Sequence, residues 1–377
     1  MNNPRLIKIE AGYLNGKRPR IAGRNARLPE HGIDICEPFV RLHFEDGSSG
    51  FGFSRLTADQ AQPLLGQHLD SLISLENGVS ALARNINFPL WDVLGQRAGK
   101  PIYQLVAKSD FDSSLPFTVP CYDTSLYFDD LHLSDDQAAV ELIASEARAG
   151  YERGHRAFKI KVGRGALHMP LVEGTLRDIA IIRGVREAVG SGLPIMIDAN
   201  NGYNVNLVKW VLTETADCEI YWLEEPFHED RTLYEGLHQW LDEQYLSVLI
   251  ADGEGQASPT LMNWAQAGVI DVVQYDLRDE GFDFWLKTGQ QLDTWGAKSA
   301  PHNYGSCFGN YATCHLASAI QNFTFVEWDQ IDLIGLDSSG YAIHEGRVHV
   351  PDKAGFGLSL DEAVFEQSVK YEGFVES

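Results

Sequence analysis

The sequence predicts an α/β protein whose largest part is a (β/α) barrel. From about residue 117 onward, short apolar runs alternate with amphipathic helical patterns, which is typical of parallel strands joined by helices. Eight such runs occur in about 210 residues, which favours a closed barrel. No glycine-rich phosphate loop follows the first run, which argues against an open doubly wound sheet.

An α+β domain is predicted in front of the barrel, over residues 1–115. The predicted elements are strands at 5–13 and 37–53, a basic loop at 14–32, and helices at about 58–72 and 77–107. Gly99, followed by Lys100 and Pro101, predicts a helix stop and restart.

The barrel is predicted over residues 116–330. Its predicted strands are 116–121, 156–162, 194–198, 219–224, 247–252, 271–275, 297–301 and 323–327. Helical patterns between them include 177–189, 205–216, 258–267 and 281–295. Residues 331–377 return to short strand patterns, and we expect this tail to pack on the first domain.

Composition narrows the possible partners and the compartment. The net charge of −23 argues against nucleic acid and anionic membranes. The five cysteines are scattered and form no CxxC pair, which argues against a disulfide framework or structural zinc and favours a reducing compartment. The chain shows neither a signal peptide nor an apolar run of membrane-spanning length, so we expect a cytoplasmic protein.

Ionisable residues end every predicted barrel strand from the second to the eighth. Because active sites of parallel barrels lie at the carboxyl ends of the strands, these residues are the candidate site. They are Lys159 and Lys161, Asp198, Glu224 and Glu225, Asp252 and Glu254, Asp276, His302, and Glu327 and Asp329.

The two lysines lie in the run FKIKVG at 158–163, whose alternation predicts a strand with Lys159 and Lys161 on one side. Two neighbouring ammonium groups lower each other's pKa, so one of them can act as a base near neutral pH. A half-solvated strand with a charged face is the alternative.

Asp198, Glu224 and Glu254 end consecutive strands, so their carboxylates can converge. Three such groups cannot all remain ionised without a cation, and oxygen ligands of this kind suit Mg²⁺. The third ligand stays open, because Asp252 lies two residues before Glu254.

His302 and Asp276 end neighbouring strands and predict a general acid/base pair, in which the carboxylate fixes the imidazole tautomer. Glu327 is a further acid near the expected metal. If it is protonated, it can donate a hydrogen bond to a developing oxyanion.

Together these motifs resemble the enolase superfamily, mandelate racemase subgroup. The resemblance extends to the stretches WDVLGQRAGKPIYQLV at 91–106 and GRVHVPDKAGFGLSL at 346–360, and so covers nearly the whole chain. It implies a modified (β/α)8 TIM-type barrel, (β/α)7β, with an N-terminal α+β capping domain completed by the C-terminal tail. The sequence departs from the commonest pattern at Gly255 and in the run Arg278-Asp279-Glu280.

The resemblance also implies the roles of the site residues. Asp198, Glu224 and Glu254 would hold Mg²⁺, and Glu254 is favoured over Asp252 because the ligand usually follows a glycine. The implied reaction residues are Lys161 as one base, Lys159 as the residue that tunes it, His302 oriented by Asp276 as the second acid/base, and Glu327 as hydrogen-bond partner of the enolate oxygen.

Substrate contacts are expected from loops over the barrel mouth, at 14–32 and 47–60. The candidate residues are Asn200, Arg24, Arg27 and Arg55. An arginine-rich first loop would suit a polyhydroxy acid, with a second anionic group as an open possibility; surface arginines on an acidic protein are the alternative.

The leading functional prediction is a Mg²⁺-dependent acid sugar dehydratase, which removes the α-proton and then the neighbouring hydroxyl. A racemase or epimerase and a lactone cycloisomerase are the enzyme alternatives, and a non-catalytic sugar-acid-binding protein is the alternative from another class. We expect a small acid sugar as substrate and a homo-oligomer, with neither nucleic acid nor membrane as partner.

Overall fold

The computed structural model describes residues 3–377, and the N-terminal part of the chain forms an antiparallel sheet. Its first three strands are β1 (Leu6–Ala22), β2 (Gly32–Phe44) and β3 (Ser49–Phe53), paired in that order. The predicted loop at 14–32 is therefore wrong for residues 14–22. Buried and exposed residues alternate through this part of β1, and the buried Arg18 hides the strand pattern in the sequence.

Short helices follow this sheet. They are α1 (Ala58–Ala61), α2 (Leu69–Leu72), α3 (Asn87–Ala98) and α4 (Ile102–Val106), with the strands β4 (Ile73–Ser74) and β5 (Gly78–Val79) among them. The helices predicted at 58–72 and 77–107 are thus interrupted, the first at a 3₁₀ turn that contains Pro63. The stop predicted at Gly99 is confirmed, because its φ of 61° ends α3 in the left-handed region that glycine adopts freely.

Eight parallel strands form the central sheet and pair in chain order. They are β6 (Thr118–Leu126), β7 (Phe158–Lys161), β8 (Ile195–Asp198), β9 (Ile220–Glu224), β10 (Leu249–Asp252), β11 (Val272–Val273), β12 (Lys298–Ser299) and β13 (Val326–Trp328), the last paired with β6. A parallel bridge between Ser299 and Phe323 links the β12 region to the segment before β13. The mixed α/β class and the parallel sheet are therefore confirmed.

Helices connect the parallel strands. They are α5 (Asp136–Glu152), α6 (Leu171–Val189), α7 (Val205–Glu214), α8 (Arg231–Glu243), α9 (Leu261–Gln266), α10 (Leu277–Glu280), α11 (Phe282–Trp295) and α12 (Cys307–Leu316). A compact inner core lies between the strands, with one buried residue from each of seven neighbouring strand regions: Tyr122, Ala157, Met196, Trp222, Ala251, Val272 and Ala300. Strands buried on both faces read as continuous apolar runs, as residues 195–197 of β8 do before Asp198 ends the strand.

The C-terminal segment returns to the N-terminal sheet. Its elements are β14 (Asp332–Leu333), β15 (Leu336–Asp337), β16 (Ala342–His344), β17 (Arg347–His349), β18 (Ser359–Leu360), α13 (Glu362–Glu372) and β19 (Phe374–Glu376). β14 and β19 both pair with β1, while β17 pairs with β6 of the central sheet. Within residues 3–377, no helix is long and apolar enough to cross a membrane.

Candidate active site

Three carboxylates converge at the carboxyl end of the parallel sheet. Asp198 ends β8 and Glu224 ends β9, and the two residues are partners in the strand register, while Glu254 follows β10. One carboxylate oxygen from each of the three lies within 4.8 Å of the others. Consecutive parallel strands ending at one edge place these side chains together.

Asp252, the other candidate third ligand, lies outside this group. Its carboxylate accepts a hydrogen bond from the Tyr234 hydroxyl and another from the Gly253 N–H at 2.7 Å. Gly253 has a φ of 127°, a conformation that turns the chain between Asp252 and Glu254 and favours glycine. The structure therefore brings Glu254, and not Asp252, to the cluster.

The two lysines lie among these carboxylates rather than apart from them. Lys159 Nζ lies 2.6 Å from Glu224 Oε1 and 2.9 Å from Glu327 Oε1, and Lys161 Nζ contacts Asp198. Burial lowers the pKa of each lysine, but the neighbouring carboxylates outweigh it and raise both values. The predicted lowering of the lysine pKa values is thus wrong for this arrangement, because the carboxylates on neighbouring strands outweigh the repulsion between the two lysines.

The charges of the cluster are unbalanced without a cation. Burial raises the pKa of Asp198, but Lys161 and Lys159 lower it to about 2. Burial and the adjacent carboxylates raise the pKa of Glu224 to about 8, although Lys159 opposes this. Glu254 Oε2 is buried and makes no hydrogen bond within the described part of the chain, although the His302 imidazole lies 3.0 Å from it as an ion-pair partner. Hard oxygen donors with this excess of negative charge fit a divalent cation such as Mg²⁺.

His302 lies at the other end of the cluster from Lys161. Its Nδ1 is 2.5 Å from Asp276 Oδ1, and its Nε2 is 3.0 Å from Glu254 Oε2. Burial lowers the imidazole pKa, but Glu254, Glu327 and Asp276 raise it to about 10. The Gly255 N–H donates to the Asp276 carboxylate at 2.8 Å. Gly255, where the sequence departs from the commonest family pattern, therefore orients the Asp276–His302 pair through its backbone.

The contacts of Glu327 favour its ionised form. Its carboxylate accepts hydrogen bonds from the Thr124 hydroxyl at 2.7 Å and the Asn303 N–H at 2.8 Å, besides its ion pair with Lys159. Burial raises its pKa, but Lys159 and His302 hold the pKa well below its usual range. Without a bound substrate, Glu327 therefore accepts hydrogen bonds, and its role as a neutral donor to an oxyanion stays a prediction.

Asn200 and Arg27 reach the cluster through Glu225. Asn200 Nδ2 donates to Glu225 Oε2 at 2.9 Å and to Glu254 Oε1 at 3.2 Å, while its Oδ1 is buried without a partner in residues 3–377. Arg27 lies 3.2 Å from the Glu225 carboxylate and 3.9 Å from Glu254. Of the four candidate substrate contacts, these two are brought to the carboxylate cluster.

The other two candidates lie apart from the cluster. Arg24 is exposed and lines a cavity of about 610 Å³ with Phe128 and Asp129. Arg55 forms an exposed ion pair with Asp279 at 2.6 Å, at the edge of a cavity of about 340 Å³ that Arg278 also lines. Neither cavity contains a residue of the carboxylate cluster.

Sequence reasoning missed residues that orient the carboxylates. Trp222 Nε1 donates to Glu224 Oε2 at 3.0 Å, Gln274 Nε2 donates to the same oxygen at 2.9 Å, and Thr124 donates to Glu327. Gln274 carried a usable signal, because an amide that follows two valines in a predicted buried strand requires a buried partner.

The chain matches a known family over most of its length. A family model described as enolase C-terminal domain-like matches residues 142–364. Galacturonate dehydratase from a Geobacillus species is 47% identical, with full coverage of both chains and a TM-score of 0.96, and is complexed with D-galacturonate and 5-keto-4-deoxy-D-galacturonate. A variant of that enzyme, with a TM-score of 0.97, is complexed with Mg.

Curated relatives include two further dehydratases. Arabinonate dehydratase of Saccharolobus solfataricus is 26% identical, over 96% of this chain and 97% of the relative. L-talarate/galactarate dehydratase of Salmonella typhimurium is 28% identical, over 91% of this chain and 84% of the relative.

Proposed function

The chain belongs to the enolase C-terminal domain-like family, and from this membership and the site geometry we propose that it is a Mg²⁺-dependent acid sugar dehydratase. The observation that carries the proposal is the convergence of Asp198, Glu224 and Glu254 between two bases, Lys161 and His302. The dehydratase names of its relatives support elimination as the reaction.

We also infer the finer architecture of this family. The chain-order pairing of the eight parallel strands, the pairing of β13 with β6 and the Ser299–Phe323 bridge support a (β/α)7β barrel over 116–330. The pairing of β14 and β19 with β1 supports a capping domain made of residues 1–115 and 331–377.

Mg²⁺ would be held by Asp198, Glu224 and Glu254, and its charge would stabilise negative charge that develops on the substrate carboxylate. Trp222 and Gln274 orient Glu224 for this role, and Asn200 orients Glu254. Lys159 remains paired with Glu224 and Glu327, which keeps a positive charge next to Lys161.

The reaction needs a base and an acid at neighbouring carbons of the substrate. One of Lys161 and His302 takes the proton from the carbon next to the carboxylate, and the electron pair of that C–H bond forms a C=C bond. The C–O bond at the next carbon breaks, and the second residue protonates the departing hydroxyl, so that water leaves. The resulting enol becomes a keto acid that lacks one hydroxyl. The substrate configuration decides which residue is the base.

The product printed for the Geobacillus relative fits this scheme. In D-galacturonate the carbon next to the carboxylate is C5 and the neighbouring hydroxyl is on C4, so elimination gives a 5-keto-4-deoxy sugar, as in that complex. D-galacturonate is therefore the first substrate to test. Turnover with added Mg²⁺ should give a keto acid detectable by semicarbazone formation, and chelation by EDTA should abolish it. Epimerisation without keto acid would contradict the dehydratase assignment.

The metal assignment has a direct test by calorimetric titration with Mg²⁺. Glu254→Gln should weaken binding about 100-fold, because it removes a charged ligand. Asp252→Asn is the matched control, since Asp252 bonds to Tyr234 and lies outside the cluster. Loss of binding only in the Asp252 variant would show that the third ligand is misassigned.

A further inference from the structure

We propose that His31, Tyr127 and Tyr304 form a second subsite, which binds the end of the sugar acid remote from the reacting carboxylate and selects a neutral end over a second carboxylate. This inference rests on the proposed function, because it concerns the substrate of the same site. It assigns specificity to three residues that take no part in the proton transfers.

The three rings enclose one space from two parts of the chain. His31 precedes β2 and its ring meets Tyr127 and Tyr304 edge-on, with both pairs of ring centroids 5.1 Å apart. The two tyrosine rings lie 5.2 Å apart with planes tilted by 32°. Tyr127 follows β6, and Tyr304 follows His302 by two residues, so the N-terminal sheet closes over the parallel sheet at this point.

One buried polar atom of this group, His31 Nε2, has no partner among residues 3–377. The buried Tyr304 hydroxyl lies beside the Tyr127 hydroxyl, which leaves it capacity for a further hydrogen bond. Buried polar atoms are normally hydrogen-bonded, and an exception needs an explanation such as an absent ligand. A sugar hydroxyl, which both donates and accepts, would satisfy an imidazole nitrogen and a phenol together.

The subsite adjoins the reacting residues. Lys161 Nζ lies 5.4 Å from the centroid of the Tyr127 ring, so this ring is close to both the base and His31. Tyr304 is held in place by the guanidinium of Arg18, which lies 4.7 Å from its ring centroid. A ligand whose carboxylate lies at the metal cluster therefore extends past Lys161 toward these rings.

The charges around the subsite favour a neutral ligand end. Three arginines of the adjoining N-terminal segment already have a carboxylate partner: Arg18 has Asp329 at 2.9 Å, Arg20 has Glu146 at 3.0 Å, and Arg27 has Glu225 at 3.2 Å. Burial and the charges of Lys161 and Arg18 lower the His31 pKa to about 4, so the imidazole is neutral at pH 7. The Arg278 guanidinium, which also lies near Tyr304, donates to the backbone oxygens of Tyr304 and Gly305. A second carboxylate would therefore be desolvated beside cations that already have hydrogen-bond partners.

A matched ligand series tests this selection. D-galacturonate, L-galactonate and galactarate share the configuration of their hydroxyl-bearing carbons and differ only at the far end, which is an aldehyde or hemiacetal, a CH₂OH group or a carboxylate. Binding is measured by calorimetry to the Mg²⁺-loaded His302→Asn variant, in which turnover is stopped. The same titrations are repeated with the double variant His302→Asn/His31→Ala. The double variant His302→Asn/His349→Ala is the control, because His349 is exposed on β17.

The expected result is at least tenfold weaker binding of galactarate than of either neutral-ended acid. His31→Ala should weaken the neutral-ended acids about tenfold and leave Mg²⁺ affinity and the melting temperature unchanged, while His349→Ala changes none of these. Galactarate binding as tightly as galacturonate, equal losses for all three acids, or no binding of any would overturn the subsite. If binding is selective but the parent protein turns over none of the three acids, the dehydratase proposal is contradicted and the subsite proposal stands.

Discussion

Lys161 and His302 contact the carboxylate cluster at opposite ends, one at Asp198 and the other at Glu254. Each should therefore reach only one face of the substrate carbon. Removing the base should abolish exchange of the α-proton with D₂O as well as turnover. Removing the acid should leave exchange intact while elimination stops, because the deprotonated substrate can take up a deuteron and form the substrate again.

We therefore expect Lys161→Ala and His302→Asn each to lower kcat by about 10²–10⁴-fold and to differ in exchange, measured by proton NMR in D₂O. Asp276→Asn should resemble His302→Asn with a smaller loss, because it misorients the imidazole without removing it. Full turnover in both the lysine and the histidine variants would exclude this end of the sheet as the active site.

Single residues also show what the sequence can and cannot predict. The convergence of Asp198 and Glu224 followed from their positions at strand ends, because parallel strands end at one edge. Strand position left Glu254 and Asp252 open, since β10 ends at Asp252, and only the family resemblance favoured Glu254. The ionisation of Lys159 and Glu327 did not follow from their positions, because each depends on its contact with the other across strands β7 and β13. His31 gave no signal, since its partners Tyr127 and Tyr304 are distant in the sequence.

Among the elements, β2 and α12 are joined by one buried carboxylate. Glu37 of β2 accepts hydrogen bonds from the Ser306 hydroxyl and from the N–H groups of Cys307 and Phe308 at the start of α12. Burial raises its pKa from 4.5 to about 7, although these donors oppose the rise. The contact therefore links the N-terminal sheet to the helix that follows His302.

This link predicts a pH dependence of stability. Because the folded-state pKa is raised, the contribution of Glu37 is fully present below pH 4.5 and is lost as the pH rises through 7. The difference in unfolding free energy between the parent and Glu37→Gln should fall by about 3 kcal/mol between pH 4.5 and pH 8, measured by urea titration. The exposed substitution Glu366→Gln should show no such change, and a constant difference for Glu37→Gln would contradict the assignment.

Elements were predicted well where their pattern is local. The apolar run at 195–198 and the stop at Gly99 identify β8 and the end of α3 without knowledge of their neighbours. The extension of β1 through residues 14–22 was missed, because its buried Arg18 is tolerated only by an ion pair with Asp329, which lies 311 positions away.

At the scale of the molecule, that same ion pair connects the N-terminal sheet to the parallel sheet. Arg18 Nε and Nη2 donate to the two oxygens of Asp329 at 3.2 and 2.9 Å, and both residues are buried. Asp329 also accepts the Gly305 N–H at 2.9 Å. The tail adds a second connection, since β19 pairs with β1 and Phe365 of α13 is fully buried.

A double-mutant cycle separates the net contribution of this ion pair to the free energy of unfolding from the destabilisation caused by removing one partner. Arg18→Met should lower the free energy of unfolding by about 3–5 kcal/mol, because it leaves the Asp329 carboxylate buried without its cation. Arg18→Met/Asp329→Asn should recover at least half of that loss, since the amide is neutral and can still accept from Gly305. Urea unfolding at pH 7 measures all four corners of the cycle. Additive losses would show that the two sheets are held together without this pair, and Arg18 would then serve mainly to hold the Tyr304 ring.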